Sequence, residues 1–233
     1  MKRALHFSGG KDSLACLYLL KDEWPSLNVY WVNTGAVYDE VKEYMASWKR
    51  VLPNFFEVQG SQPDDIKEFG FPTDILPIRN TVIGHGLEPG DRVLLQSFTD
   101  CCYKNMWLPM LQTMKDHGVQ EIIRGTRKED TRKSPVMDGD IVNGIKYSFP
   151  IFNWTLDQVW EFLLREEAIV PTYYMSEMSS RDCWDCTAYL DHNKQRIANL
   201  PDDRRRVVLD RIRMIKEAIA EANQVSGLEN VDG

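Results

Sequence analysis

The sequence predicts an α/β protein with a Rossmann-like, mainly parallel sheet, helices on both faces and a helical C-terminal region. Short β-branched and aromatic runs alternate with helical stretches from Arg3 to Val58, which is a βαβ rhythm. A Gly-rich turn joins the first of these strands to the first helix, and an amphipathic helix closes the chain. Right-handed crossovers between successive strands make such a sheet mostly parallel.

Taken in order, Arg3 to Phe7 reads as a strand, Asp12 to Leu20 as a helix, Asn28 to Val32 as a second strand and Val37 to Val51 as a second helix. Phe55 to Val58 continues the pattern as a third strand. Pro63 to Gly90 is rich in Pro and Gly with little periodicity, and reads as a long, partly ordered loop at one sheet edge. Lys104 to His117 is helical, and Glu121 to Arg124 is short and apolar enough for a buried parallel strand. Asn143-Gly144, between Ile141-Val142 and Ile145-Lys146, is a hairpin signal. Thr155 opens a helix with a capping box, since Gln158 stands three residues on, and Val159, Phe162 and Leu163 make its apolar face. Asp202 to Ala222 is the last helix, with Val208, Ile212, Ile215 and Ile219 on one stripe. No repeat or linker interrupts this series. The expected organisation is one nucleotide-binding domain over residues 1–200, with residues 201–233 as a helix and tail packed on it.

Composition narrows the function classes. With 28 Lys+Arg against 35 Asp+Glu, the net charge of −7 disfavours a broad electrostatic grip on nucleic acid. Hydrophobic residues at 43% and charged residues at 27% exclude a disordered or fibrous chain. No apolar run is long enough for a membrane span, and Met1 to Phe7 leads into the Gly-rich turn rather than a secretory signal, so a cytoplasmic protein is expected. Five cysteines, an odd number, do not form an extracellular disulfide framework.

The Gly-rich turn is Ser8-Gly9-Gly10-Lys11-Asp12-Ser13, at the carboxyl end of a strand, where doubly wound sheets bind ligands. Its glycines let backbone approach a ligand, the helix start presents free N–H groups, Lys11 adds a charge, and Ser8 and Ser13 add hydroxyls. These features suit a di- or triphosphate, with Asp12 available to a Mg²⁺ bridging the phosphate oxygens. The spacing is not that of a Walker A loop.

Cys101-Cys102 and Cys183-Trp184-Asp185-Cys186 are separated by eighty residues. Four thiols from two loops suit a tetrahedral metal or an iron–sulfur cluster; buried structural thiols and a redox disulfide are the alternatives. Cys16, within an apolar helix, reads as a small buried hydrophobe.

The string Ser8 to Ser13 resembles the signature of the PP-loop, or ATP pyrophosphatase, superfamily, and Asn33-Thr34-Gly35 looks like its second nucleotide-side element, with Asn in place of the usual Asp. The cysteine spacing is similar to the [4Fe-4S] signature of adenosine phosphosulfate reductases. Arg124-Gly125-Thr126-Arg127 resembles that family's substrate loop, and Phe149-Pro150 to Trp154-Thr155, followed by Val159-Trp160, Pro171 and Tyr174, agrees in order. The chain is therefore identified, over about residues 3 to 190, as a member of the phosphoadenosine/adenosine phosphosulfate reductase family, with an adenine nucleotide alpha hydrolase-like fold.

The resemblance implies Ser8, Gly9, Gly10, Lys11, Asp12, Ser13, Asn33, Thr34, Gly35 and Gly125 at the nucleotide and Arg124, Arg127 and Arg132 at the substrate anion. It further implies Lys11 and Arg127 as catalytic cations and Cys101, Cys102, Cys183 and Cys186 as cluster ligands, with zinc the alternative occupant. Two departures matter. No cysteine follows Cys186 where the reductases carry a Glu-Cys-Gly nucleophile, and Asn105-Met106 replaces a basic pair, leaving Lys104 nearby.

The intact phosphate loop points instead to ATP, hence to ATP-dependent adenylylation and sulfur transfer. Reduction of adenylyl sulfate or phosphoadenylyl sulfate with a thiol from elsewhere is the alternative, and a non-catalytic regulatory subunit is the third reading. A thiol or sulfur donor protein is the expected partner; no membrane is expected, and a homo-oligomer stays open. Arg204, Arg205, Arg206, Arg211 and Arg213 read as a solvated basic face before they read as a nucleic-acid surface. His6 reads as a core or loop-supporting residue, His85 as incidental, and Trp154 and Trp160 as helix-packing residues.

Overall fold

The structure, a computed structural model, describes residues 1–74, 95–130, 134–175, 183–188 and 190–226. It divides into two compact units interleaved along the chain. The first comprises Met1–Asn33, Val37–Gln59 and Leu108–Asp182, and the second Thr34–Ala36, Gly60–Trp107 and Cys183–Gly233. The units therefore alternate in sequence.

The first unit is built on a six-stranded sheet of order β3-β2-β1-β6-β8-β7. Its strands are β1 (Arg3–His6), β2 (Asn28–Asn33), β3 (Phe55–Gln59), β6 (Glu121–Ile123), β7 (Ile141–Val142) and β8 (Ile145–Ser148). All pairings are parallel except β7 with β8. Ala4 and Leu5 of β1 and Val29 and Tyr30 of β2 are fully buried, as strands covered on both faces must be.

Helix α1 (Lys11–Leu19) follows β1, α2 (Asp39–Val51) follows β2, and α5 (Leu108–Asp116) and α6 (Leu156–Arg165) complete the unit. Val41, Met45 and Trp48 recur at helical spacing and form the buried stripe of α2. Trp48 meets Phe7, Tyr18 and Trp24 edge-on, with ring centroids 5.9, 6.0 and 5.5 Å apart. The capping box of α6 is complete, with Thr155 and Gln158 each bonding the other's backbone N–H, a feature worth about 1 kcal/mol. Asn143 and Gly144 both take positive φ, 53° and 79°, as a two-residue hairpin of this hand requires. Trp154 packs edge-on against Phe162, and Trp160 against Tyr174.

The second unit holds a parallel pair, β4 (Phe71–Thr73) and β5 (Leu95–Ser97), with α3 (Gln62–Phe69), α4 (Phe98–Cys102), a π-helical turn (Tyr103–Trp107), α7 (Leu190–Ala198) and α8 (Asp202–Ser226). Val208 and Ile215 of α8 are buried and Ile212 and Ile219 half-buried, so the apolar stripe faces inward.

Two expectations are corrected. The stretch from Pro63 does not begin as loop. Pro63 lies in the first turn of α3, where proline costs no hydrogen bond, and Phe71–Thr73 then forms β4. Residues 75–90 of the expected loop, His85 included, lie outside the described residues. The helix read from Lys104 starts earlier, at Phe98, because Ser97 caps it by accepting the Thr99 N–H at 3.2 Å. Cys101 and Cys102 therefore sit in helical backbone, not in a loop.

Candidate functional site

In the first unit, β2 and β3 extend the sheet to one side of β1, and β6, β8 and β7 to the other. The strand order reverses at the β1–β6 pair, so the crevice at their carboxyl ends is where such a sheet binds ligands. Ser8 to Ser13 follows β1 there, and Arg124 to Arg127 follows β6.

The turn is organised around a helix start without a side-chain cap from its N-cap residue, Gly10. The Gly10 N–H donates to Ser8 Oγ at 3.3 Å and the Lys11 N–H to Tyr174 Oη at 3.0 Å, which occupies two of the N-terminal donors a helix leaves without internal partners. Ser13 Oγ donates to the Gly10 carbonyl at 2.9 Å and lies 3.1 Å from Ser8 Oγ. Gly9 has φ +79°, a conformation that favours glycine, and the Tyr173 hydroxyl donates to its carbonyl at 3.4 Å. Tyr174 also lines an apolar cavity of about 310 Å³ with Trp160, Leu163 and Pro171, so its ring is packed while its hydroxyl serves the turn.

Charge at the site is concentrated on Asp12. Lys11 Nζ lies 2.7 Å from Asp12 Oδ2 and Arg127 Nε 2.9 Å from Asp12 Oδ1. The second contact is a charge contact without hydrogen-bond alignment. Arg127 also pairs with Glu129 at 3.2 Å and Asp130 at 3.5 Å, and its N–H donates to Asp130 Oδ2 at 2.8 Å. Arg124 donates to Ser134 Oγ at 3.3 Å, and burial lowers the proton affinity of its guanidinium. Burial, and then the charge of Arg124, push the His6 imidazole down to about 3, so this half-buried histidine is neutral at the end of β1. Arg132 lies outside the described residues.

Asn33, at the end of β2, donates to Glu57 Oε1 at 2.9 Å, on β3. Thr34 and Gly35 belong to the second unit, where the Thr34 carbonyl accepts the Gln62 N–H at 2.9 Å and Gly35 has φ +90°. The three residues of that element are thus divided between the units.

The four paired cysteines all belong to the second unit. Cys101 is buried and the other three are half-buried; none of the five cysteines forms a disulfide. Burial pushes the Cys101 thiol up, the charges of Cys102, Asp65 and Cys186 add to this, and the Asn105 amide opposes it. Asn105 Nδ2 donates to the Cys101 carbonyl at 3.0 Å and lies 3.9 Å from its Sγ. Cys183 Sγ is 3.2 Å from Thr34 Oγ1, and the Trp184 N–H donates to the Ala36 carbonyl at 3.0 Å.

Asp185, 2% exposed, accepts from Gln62 Nε2 at 3.1 Å and Arg211 Nη1 at 2.7 Å. Trp184 has the Arg204 guanidinium 5.1 Å from its ring centroid. The two residues between Cys183 and Cys186 therefore anchor that motif, a role its spacing alone does not reveal. Lys104 is held by Asp65, at 3.4 Å, and over the Phe69 ring, at 3.2 Å. Among the described residues, no group of three or more His, Cys, Asp or Glu side chains is placed as a metal-ion site. Cys16 is fully buried and its thiol is pushed up by burial and by Asp12.

On α8, Arg205 pairs with Asp202, and Arg213 with Asp210 and Glu217, while Arg211 is spent on Asp185. No helix among the described residues is long and apolar enough to cross a membrane.

A mainly parallel sheet with a Gly-rich turn at its switch point defines an α/β protein with the nucleotide-binding fold of the PP-loop type. Residues 2–189 match the phosphoadenosine phosphosulfate reductase domain, and the chain belongs to that family. An uncharacterized protein of Methanocaldococcus jannaschii is 27% identical over 185 residues, covering 78% of this chain and 35% of that protein, so the chain spans about a third of that relative's length.

Among solved structures, the phosphoadenylyl-sulfate reductase of Candida auris, a phosphate complex, superposes with a TM-score of 0.51 at 15% identity. That match covers 77% of this chain and 81% of the other, and it shows the shared fold. A predicted subunit of a tRNA methyltransferase from Methanocaldococcus jannaschii reaches a TM-score of 0.38 at 16% identity over 69% and 73% of the two chains.

Proposed function

We propose that this chain is an adenine-nucleotide-binding enzyme of sulfur metabolism that uses ATP to adenylylate an acceptor oxygen, after which a sulfur nucleophile displaces AMP. The acceptor oxygen attacks the α phosphorus, the bond to the bridging oxygen breaks, and pyrophosphate leaves. The reading rests on one observation: Lys11, Ser8, Ser13 and the N-terminus of α1 gather at the switch point of the sheet, a charge, two hydroxyls and a helix start that would exchange their internal partners for a polyphosphate. Their work is positioning and neutralising the departing pyrophosphate. Asp12 is the carboxylate that would hold a Mg²⁺, which would supply positive charge against the departing pyrophosphate.

The cysteine quartet is read as the seat of a [4Fe-4S] cluster, with zinc as the alternative. What supports this is the donor chemistry. Four thiols share one compact unit, and Cys101 feels the charges of both Cys102 and Cys186. Such a centre would bind the sulfur donor or hold the fold, and the chain's own part is to present the thiols on α4 and on the anchored Cys183 to Cys186 turn. A thiol or sulfur donor protein and a cytoplasmic setting complete the proposal.

The family membership favours a second reading, reduction of adenylyl sulfate or its 3′-phosphorylated form to sulfite. Cys16 is too buried to attack a bound sulfonucleotide, so the thiol would come from a partner.

One experiment separates the readings. Protein purified without oxygen is incubated with ATP and Mg²⁺, and AMP and pyrophosphate are measured; in parallel, sulfite release from adenylyl sulfate is followed with an added dithiol. AMP and pyrophosphate support the first reading, and sulfite alone overturns it in favour of the second. Neither product, with nucleotide still bound, supports a regulatory subunit. Lys11→Ala should lower ATP affinity at least about tenfold, the worth of one charge-assisted contact, without lowering the melting temperature.

A further inference from the structure

We infer that Gly60, Ser61 and Gln62 are positioning residues for the thiol quartet: this short segment, at the start of α3, sets the spacing between the Cys101-Cys102 pair and the Cys183-Cys186 pair. The inference rests on reading the four cysteines as one centre, and it adds three residues that no sequence motif marks.

All of the contacts lie within the second unit. On the side of the first pair, the Ser61 N–H donates to Asn105 Oδ1 at 3.1 Å, and Asn105 Nδ2 donates to the Cys101 carbonyl at 3.0 Å. On the side of the second pair, the Gln62 N–H donates to the Thr34 carbonyl at 2.9 Å, and Thr34 Oγ1 lies 3.2 Å from Cys183 Sγ. Gln62 Nε2 also donates at 3.1 Å to Asp185 Oδ1, which stands between the two cysteines of that pair. Three consecutive residues thus reach both pairs.

Gly60 keeps the two sides close by having no side chain. A Cβ there would come within 2.2 Å of the Asn105 carbonyl oxygen and 3.2 Å of the Thr34 Cα. Both are backbone atoms, so neither can turn aside. Asn105 itself lies in the π-helical turn that continues α4, an irregularity that recurs at functional sites.

Gln62 shows that more than stability is at stake. It is 1% exposed, and its Oε1 is buried without a hydrogen-bond partner. An apolar side chain of similar size would leave no such group unsatisfied, so it is the bond to Asp185 that accounts for the amide. Among the described residues, no three His, Cys, Asp or Glu side chains close on one ion. What the quartet can hold therefore depends on how far apart the pairs are kept, and neighbours that orient ligands govern how tightly metal is bound.

The test compares the wild-type full chain with Gly60→Ala and Gln62→Met, all purified without oxygen. Iron, sulfide and zinc per chain are measured, and their release to EDTA is timed. Each variant should release metal at least about tenfold faster than the wild type, the scale on which orienting neighbours act. Ile66→Ala, at a buried position of α3 outside these contacts, is the comparison for general destabilisation.

Release at the wild-type rate from either folded variant overturns the inference. So does release matched by Ile66→Ala at an equal loss of melting temperature. Should Gly60→Ala fail to fold, Gln62→Met carries the test, since it adds no bulk and leaves Asp185 paired with Arg211 at 2.7 Å.

If the wild-type chain carries neither iron nor zinc, the reading of the quartet as a metal centre fails, and the same chains are treated with a short bismaleimide. Bridges between the pairs, scored by peptide mass spectrometry against the bridge within Cys183-Trp184-Asp185-Cys186, should then fall at least about threefold in each variant. A wild-type chain without such bridges, or an unchanged ratio, overturns the role of the segment.

Discussion

The backbone of Gly125 rests on the backbone of Asp12. A Cβ built on Gly125 would lie 2.5 Å from the Asp12 carbonyl carbon, 2.6 Å from its oxygen and 2.6 Å from the Ser13 nitrogen. No flexible side chain is involved that could turn away. Gly125→Ala should therefore push the β6 loop off the Ser8 to Ser13 turn, costing roughly 1–3 kcal/mol as overpacking does. Thermal melting should show the loss, and nucleotide titration should show weaker binding. An unchanged melt would mean that the two loops separate freely.

Tyr174 links packing to the turn. Its ring stands against Trp160, with centroids 5.5 Å apart, and its hydroxyl accepts the Lys11 N–H. Tyr174→Phe should keep the packing and strip one partner from the helix start, for a cost of about 0.5–1.5 kcal/mol in denaturant titration. Tyr173→Phe should cost less, because its bond to Gly9 is long at 3.4 Å. The reverse ranking would contradict the capping role of Tyr174.

The cysteines divide into four and one. Alanine at Cys101, Cys102, Cys183 or Cys186 should each remove bound iron and sulfide, or zinc, from protein purified without oxygen, whereas Cys16→Ala should leave the metal in place. Metal analysis and visible absorbance report both outcomes. Metal content untouched by any of the four substitutions would leave them as structural thiols.

Glu121 sets part of the acid limb of stability. Burial alone would push its carboxyl up, but the Ser148 hydroxyl at 2.5 Å, Arg3 at 2.9 Å and Lys146 at 3.5 Å outweigh this and hold it below the ordinary carboxylate range. In the affected window the folded state binds fewer protons than the unfolded one, so stability rises with pH there. The contribution is complete above the ordinary glutamate value of 4.5 and is lost as pH falls through the lowered one. Glu121→Gln should cost roughly 1–3 kcal/mol at neutral pH and flatten the stability profile below that value, as urea titrations across pH would show. A parallel downward shift at every pH would mean that packing, not charge, is what Glu121 supplies.

Much of the first unit was legible because its signals are local. The apolar runs of β1, β2 and β3, the Thr155 and Gln158 pair and the Asn143-Gly144 turn each lie within a few residues, and the structure forms the elements they predict. The start of α3 is not legible because Pro63 looks the same in a loop as in a first helical turn. The helix start at Phe98 is hidden because its cap, Ser97, follows a stretch of sequence without periodicity.

The sequence by itself determined the alternation of strands and helices, the Gly-rich turn after β1 and the inventory of thiols, since each follows from neighbouring residue types. Tertiary structure alone decided that Arg127 is held by Asp12, that Tyr174 caps Lys11, and that Asp185 anchors the second cysteine pair through Gln62 and Arg211. The physical reason is that a charge or a donor carries no mark of its partner along the chain. Only the folded path sets the distance between them, and distance decides which charges and donors meet.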